Sequence, residues 1–159
     1  MHRRIGLAAL VLAAVSACGG QEAATTPQTT AGSTAGSAAG TEAAPLSEAD
    51  RAAAPELAER FLEAANAGDA AGVAAVFAED ARFDSVGRIY PSRQDIMDRF
   101  LGPEVIEAGG RYTVTATSWN GDRYRVDYDY DTGHGGKEVF YYEYLVRDGL
   151  IQDVIGRYS

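Results

Sequence analysis

The side chain best placed to do chemistry is the carboxylate of Asp84. It lies in the segment FAEDARFDSVGRIYPSRQDIMDRF, residues 77–100, where a short apolar strand (81–84) gives way to a loop containing Gly87. A carboxyl group at such an edge can be partly desolvated, which raises its pKa toward the range useful for proton transfer. The position makes Asp84 a candidate general base. The alternatives are a polar anchor for a ligand and a loop residue that hydrogen-bonds its own backbone.

Tyrosines form the second set of candidates. The hydroxyls of Tyr128, Tyr142 and Tyr144 can point into a cavity, and Tyr142 can donate a hydrogen bond there. The alternative is ordinary core packing, with each hydroxyl satisfied at the edge of a sheet. Trp119 precedes a hairpin turn and fits a packing role. His134 lies among glycines and fits an exposed turn, although a loop folded over the cavity would make it a base.

Four acidic residues, Asp127, Asp129, Asp131 and Glu138, have the spacing of a calcium-binding loop. The glycine that such a loop needs at its sixth position is displaced by one, to Gly133. The intervening tyrosines alternate as a strand requires, so a solvated acidic strand face is the preferred interpretation. No histidine cluster points to a transition metal. Neither a metal nor a cofactor is predicted.

The strand and loop that carry Asp84 lie between predicted helices, which must position this residue. Three caps predict helix starts: Ser47, Asp69 and Ser92. The first helix meets Pro55, which predicts a kink or a fresh start. The second helix is expected to end near residues 79–80, and the third at Gly102-Pro103.

Strands make up the second half of the chain. The pattern predicts strands over residues 111–119, 123–130, 138–147 and 150–158, with Asn120-Gly121 as a hairpin turn. Helices followed by consecutive strands predict an α+β fold, in which N-terminal helices pack on one face of a curved antiparallel sheet. Residues 138–146 are apolar on both faces, so the outer face of this sheet is a candidate homodimer interface.

The N-terminus has the pattern of a secretory signal. Arg3 and Arg4 precede an apolar run over residues 5–15, which is shorter than the about 20 residues that a membrane-spanning helix needs. Val15-Ser16-Ala17-Cys18 resembles the lipobox of bacterial lipoproteins, which predicts a signal peptide over residues 1–17 and lipidation of Cys18. The alternative is an ordinary cleaved signal. Because Cys18 is the only cysteine, no disulfide or thiolate catalyst is expected.

Residues 18–45 have the composition of a flexible linker, being rich in Ala, Gly, Ser and Thr. Residues 46–159 then form one domain, which carries almost all of the net charge of −9. Phosphates would be repelled by such a domain, which argues against nucleic-acid binding. The predicted location is the cell envelope, with the protein lipid-anchored on the extracytoplasmic side of the membrane.

The order of elements resembles the nuclear transport factor 2-like superfamily, and in particular its SnoaL-like branch. The residues that carry the resemblance are Asn66-Ala67-Gly68-Asp69, the run Phe77-Ala78-Glu79-Asp80-Ala81, and Arg147-Asp148-Gly149-Leu150-Ile151. The resemblance implies a cone-shaped fold around a cavity. This fold hosts isomerases, cyclases, dehydratases, hydrolases and binding domains without catalysis, so it implies no single function.

Comparison with ketosteroid isomerase assigns roles to three positions. Asp84-Ser85-Val86-Gly87 resembles that family's general-base motif, which places Asp84 at the base. The family's oxyanion tyrosine corresponds here to Phe61, which cannot donate a hydrogen bond, and its protonated aspartate to Tyr142, which can. Losing one such donor typically costs about a hundredfold to a thousandfold in rate, which argues against steroid isomerase activity.

Three functions follow from these observations. The first is a tethered domain that binds a small hydrophobic molecule, a peptide or a partner protein without catalysis. The second is an isomerase, cyclase or hydrolase that uses Asp84 as base and Tyr142 as donor. The third is a structural module that only dimerises or meets other envelope proteins. The residues expected to line the pocket are Phe61, Phe83, Asp84, Tyr90, Tyr128, Phe140, Tyr142 and Tyr144.

Overall fold

The computed structural model describes residues 44–159. The predicted signal peptide, the lipidation of Cys18 and nearly all of the predicted linker lie outside the described residues. Within them, no helix is long and apolar enough to cross a membrane.

Two helices open the domain, α1 (Glu48–Ala67) and α2 (Ala70–Ala75). Their predicted caps are confirmed: the Asp50 amide donates to the Ser47 hydroxyl at 3.0 Å, and the Gly72 amide donates to Asp69 Oδ1 at 2.9 Å. Helix α1 continues through Pro55 without a break, so the predicted fresh start there is wrong. Leu57, Phe61 and other apolar residues at helical spacing bury one side of α1 in the core.

A third helix, α3 (Arg93–Ile96), begins at Ser92 as predicted and runs directly into a π-helix (Met97–Ile106). The prediction that Gly102-Pro103 ends this helix is wrong. Gly102 fits because a Cβ there would stand 2.5 Å from the Met97 carbonyl oxygen, a contact that no other residue tolerates. Its own carbonyl accepts the Glu107 amide at 2.9 Å, in the i→i+5 pattern of a π-helix.

Six strands form one sheet in the order β2-β1-β6-β5-β4-β3. Their bounds are β1 (Phe77–Ser85), β2 (Arg88–Tyr90), β3 (Arg111–Asn120), β4 (Arg123–Asp131), β5 (Lys137–Arg147) and β6 (Leu150–Tyr158). Strand β1 starts where the second helix was expected to continue, so that helix is shorter than predicted. The pair β1–β6 is parallel and all other pairs are antiparallel, so the sheet is mixed and the prediction of an antiparallel sheet is wrong for this one pair.

The sheet has an inner face, which packs against the helices, and an outer face, which does not. On β5 the inner face carries Phe140, Tyr142, Tyr144 and Val146, all buried, as the alternation predicts. The Phe61 ring of α1 packs against Tyr142 and Tyr144 at centroid distances of 6.2 and 6.1 Å. Helices on one face of a curved sheet confirm the predicted α+β architecture.

Asn66 joins the helical layer to the sheet. Its side-chain amide donates to the Tyr112 carbonyl at 2.9 Å, and its carbonyl oxygen accepts the Tyr112 amide at 2.8 Å. Gly68, which follows α1, adopts a left-handed conformation with φ of 74°, a position that favours glycine. The Asn-Ala-Gly-Asp segment therefore ends one helix, starts the next and fixes the beginning of β3.

Candidate functional site

A cavity of about 170 Å³ lies between the inner face of the sheet and the π-helix. Its apolar and aromatic wall consists of Phe100, Val105, Tyr112, Tyr130, Phe140 and Tyr142. Polar and charged groups join the wall near its mouth: Ser85, Arg88, Glu104, Thr132, Glu138 and Arg157. Val86 and Tyr158, both exposed, border the same opening. Aromatic walls with a few polar groups are typical of small-molecule sites.

The π-helix forms the roof of this cavity. A π-helix has about 4.4 residues per turn, so Phe100 and the pair Glu104-Val105 project from the same side onto the sheet. Phe100 stacks on Tyr90 with the two rings 5.1 Å apart and nearly parallel. Tyr90 thereby supports the roof from behind, although it does not itself line the cavity.

Tyr142 lies at the base of the cavity, where its hydroxyl meets that of Tyr112 at 3.4 Å. Burial raises the pKa of both phenols, so both hydroxyls stay protonated at neutral pH. The Phe83 ring packs edge-on against Tyr142 at 5.1 Å and holds it in place. Tyr142 can therefore present a hydroxyl to a bound ligand.

Asp84 faces the other side of the sheet. Its carboxylate accepts both terminal nitrogens of Arg157, at 2.9 and 3.0 Å, and the Gly87 amide at 2.8 Å. Arg82 adds a further contact at 3.4 Å. The hydrogen bond from Arg157 is the main reason why the pKa of Asp84 is lowered, so the expectation that its pKa is raised is wrong.

The alternation of β1 explains this placement. Phe83 and Ser85 point to the inner face, so Asp84 between them must point outward. Within the Asp84-Ser85-Val86-Gly87 motif, Ser85 and Val86 line the cavity, and Asp84 does not. The structure consequently does not bring Asp84 and Tyr142 together, because they lie on opposite faces of the same sheet.

The remaining predicted pocket residues divide into three groups. Phe140 and Tyr142 line the cavity. Phe61, Phe83 and Tyr144 are wholly buried in the core and do not line it. Tyr128 hydrogen-bonds Tyr144 at 2.9 Å between the hydroxyls and borders a separate groove under α1, which also contacts Leu62, Val114 and Tyr124.

Sequence reasoning missed several cavity residues, namely Ser85, Arg88, Tyr112, Tyr130 and Glu138. Tyr130 and Glu138 stand directly opposite each other on β4 and β5, on the same face as Phe140. Glu138 continues the alternation of Phe140 and Tyr142 by one step, and that signal could have found it.

Tyr130 and Glu138 are two cavity residues whose polar side-chain groups have no protein partner among the described residues. Among residues 44–159, the Tyr130 hydroxyl is buried and has no hydrogen-bond partner. Glu138 forms no hydrogen bond or ion pair with any described side chain, whereas Arg88 is held by both oxygens of Glu104 at 2.9 and 2.7 Å. Burial, together with the negative charge of Glu138, raises the pKa of Tyr130.

The turn from Val86 to Gly87 carries backbone strain at the cavity mouth. Val86 has φ of 52° and Gly87 φ of 89°, so both adopt left-handed conformations. This turn favours Asn-Gly, and a β-branched residue in its first position is an outlier. The Val86 amide donates to the Gly156 carbonyl at 3.1 Å, which ties the turn to β6.

The outer face is covered by charged side chains. Asp153 pairs with Arg82 at 3.0 Å and with Arg123 at 2.6 Å, and Arg125 pairs with Asp127 while lying over the Tyr141 ring. His134 is exposed in its turn. No group of three or more His, Cys, Asp or Glu residues within 44–159 is arranged to hold a metal ion.

An α+β cone with an aromatic cavity beneath a helical roof is the architecture of the nuclear transport factor 2-like fold. Residues 58–154 match the SnoaL-like domain family, and the chain belongs to that family. No curated protein matches the sequence.

Solved structures share the fold at low identity. One is a nuclear transport factor 2-like protein of unknown function from Cytophaga hutchinsonii, with 15% identity, TM-score 0.57, and coverage of 67% of this chain and 89% of that one. A protein provisionally assigned as a ketosteroid isomerase, from Kribbella flavida, has 23% identity, TM-score 0.59 and coverage of 68% and 78%. A provisional polyketide cyclase from Sinorhizobium meliloti has 17% identity, TM-score 0.58 and coverage of 65% and 94%.

Proposed function

We propose that this domain binds a small, largely apolar molecule in the cavity beneath the π-helix, without catalysis by Asp84. The observation that carries the proposal is the cavity itself, about 170 Å³ of space walled by tyrosine and phenylalanine rings. Protein interiors are otherwise close-packed, so aromatic side chains that leave such a space are candidates for ligand contacts.

The volume limits the size of the ligand. Pockets for drug-sized molecules measure roughly 300–1,000 Å³, and this cavity is about half the lower limit. A molecule built on one ring fits the space, whereas a fused four-ring skeleton does not. The size therefore argues against a steroid ligand, independently of the residues at the base of the cavity.

An isomerase, cyclase or hydrolase is the second candidate, favoured by Tyr142 at the cavity and by the provisional assignment of two similar proteins as a ketosteroid isomerase and a polyketide cyclase. Such an enzyme would need a base other than Asp84, whose carboxylate is engaged by Arg157 on the outer face. Glu138 is the cavity carboxylate without a protein partner in the described part of the chain. Binding is preferred because Asp84, the carboxylate that the motif aligns with a general base, faces outward and cannot reach a substrate in the cavity.

The proposed location is the extracytoplasmic side of a membrane, with Cys18 carrying the lipid. This proposal rests on the sequence Val15-Ser16-Ala17-Cys18 and on the apolar run before it. Cys18→Ser should abolish incorporation of labelled palmitate and move the protein from the membrane fraction to the soluble fraction. Palmitate incorporation that is unchanged in Cys18→Ser would contradict the proposal.

Filling the cavity tests the binding function. Ser85→Leu places a larger apolar side chain in the cavity. As a control, Thr117→Leu introduces a leucine into the groove under α1 instead. With benzyl alcohol as the probe, calorimetric titration should detect binding to the unaltered chain and to Thr117→Leu, but not to folded Ser85→Leu. Equal binding to both variants, or none to the unaltered chain, would contradict the proposal.

A further inference from the structure

The charged groups around the cavity are unequally neutralised. Arg88 is held by both oxygens of Glu104, and Arg157 by both oxygens of Asp84. Both cations near the cavity therefore already have a carboxylate partner. Glu138 is left with a negative charge that no described side chain neutralises.

A tyrosine stands opposite this carboxylate on the neighbouring strand, with the hydroxyl end of its ring against Gly110. Tyr130 and Glu138 face each other across β4 and β5, so their Cβ atoms are about 5 Å apart. Tyr130 is more than nine-tenths buried, and its hydroxyl has no hydrogen-bond partner among the described residues. A ligand that supplies the missing hydrogen-bond partner would offset the cost of burying this hydroxyl unpaired.

The surrounding rings suit a positive charge. The ring centroids of Tyr112 and Tyr130 lie 4.7 Å apart, and that of Phe140 lies 5.6 Å from Tyr130; all three residues line the cavity, as Glu138 does. Aromatic faces attract cations, most strongly where water is partly excluded. The cavity wall thus combines one carboxylate acceptor, Glu138, with a tyrosine opposite it and further aromatic rings.

On the basis of the binding function proposed above, we propose that the cavity selects a small organic cation, a protonated amine attached to a compact apolar body. The ammonium group donates to the Glu138 carboxylate and to the Tyr130 hydroxyl oxygen, and the apolar body occupies the space among Phe100, Val105 and Tyr142. An anionic ligand of the same size is repelled by Glu138, because Arg88 and Arg157 are already paired.

Three single-ring probes of similar size test this selectivity: benzylamine, benzyl alcohol and benzoate. Titrated into the full chain near neutral pH, benzylamine should bind about tenfold more tightly than benzyl alcohol, and benzoate more weakly than either. The preference for benzylamine should shrink as sodium chloride is added, because Glu138 is only partly buried.

Two variants and one control variant locate the effect. Glu138→Gln should reduce the affinity for benzylamine to that for benzyl alcohol, while Glu63→Gln, an exposed change on α1, should leave both affinities unchanged. Tyr130→Phe should weaken benzylamine binding severalfold without lowering the melting temperature of the free protein, since the hydroxyl it removes has no partner. A lower melting temperature with unchanged benzylamine affinity would assign Tyr130 a structural role only.

The outcomes separate this inference from the binding function on which it rests. If benzyl alcohol and benzylamine bind the cavity equally, the charge selectivity is refuted and the binding function stands. If benzylamine keeps its advantage in Glu138→Gln, the role of Glu138 is refuted. If none of the three probes binds the unaltered chain, both proposals fail.

Discussion

Replacing Asp84 by Asn should destabilise the fold and leave ligand binding nearly unchanged. The Asp84 side chain is only 11% exposed and accepts two hydrogen bonds from Arg157 and one from the Gly87 amide. Breaking a buried ion pair typically costs about 3–5 kcal/mol. The Arg157 and Arg82 side chains are 40% and 43% exposed, so water stabilises the stranded cations and the expected cost falls to about 2–3 kcal/mol.

Urea denaturation followed by circular dichroism measures this change in the free energy of unfolding. In thermal denaturation, the melting temperature should fall by roughly 8–12 °C. Glu79→Gln is the matched control, because Glu79 pairs with Arg93 at 3.3 Å but is 90% exposed, and its loss should cost less than about 0.5 kcal/mol. The affinity for benzyl alcohol should change less than about twofold in either variant, a range equivalent to about 0.4 kcal/mol. A stable Asp84→Asn protein that no longer binds benzyl alcohol would refute the structural role of Asp84.

Three further changes test the fold around the cavity. Val86→Asn should raise the free energy of unfolding by about 1 kcal/mol in urea denaturation, since Asn-Gly suits a turn in which both residues have positive φ; a loss of stability would contradict the strain. Asn66→Ala should cost about 2–3 kcal/mol in the same assay, because it leaves the Tyr112 amide and carbonyl without their partners. The pKa values of Asp50 and Asp84 are both lowered by hydrogen bonds, so their stabilising contribution is complete above the unfolded value of about 4 and is lost as pH falls further. Thermal melts should show a loss of stability at acid pH that is smaller in Asp84→Asn than in the unaltered chain. An identical pH dependence in these two proteins would contradict the stabilising role of the ionised Asp84 carboxylate.

Local signals predicted the fold well. Ser47, Asp69 and Ser92 cap helices because each cap depends on residues no more than three positions away. The two faces of β4 and β5 follow from strict alternation, which needs no knowledge of the partner strands. These features were therefore accessible from the sequence.

The site was harder to predict because it depends on contacts between distant residues. The partner of Asp84 is Arg157, 73 positions away, and only the register of β1 beside β6 brings them together. Alignment of the motif around Asp84 can be in error by about one residue. A shift of one residue along the strand, from Asp84 to Ser85, moves a side chain from the outer face of the sheet to the cavity. The π-helix was missed because Gly102-Pro103 ordinarily ends a helix.

The homodimer predicted on the outer face stays a prediction. Val139 is exposed there and Tyr141 is partly so, but Arg125 covers the Tyr141 ring and ion pairs occupy much of the remaining surface. Light scattering on the full chain measures the mass directly. If the chain is dimeric through this face, Val139→Lys should shift it to the monomer.

Intermolecular nuclear Overhauser effects between benzylamine and the isotope-labelled full chain test the central claim most directly. If the cavity beneath the π-helix is the binding site, the ring protons of the probe should contact the Val105 methyl groups and the rings of Tyr112 and Phe140. Its methylene protons should contact Glu138 and Tyr130. Contacts confined to the outer face or to the groove under α1, or no contacts at saturating benzylamine, would contradict the account.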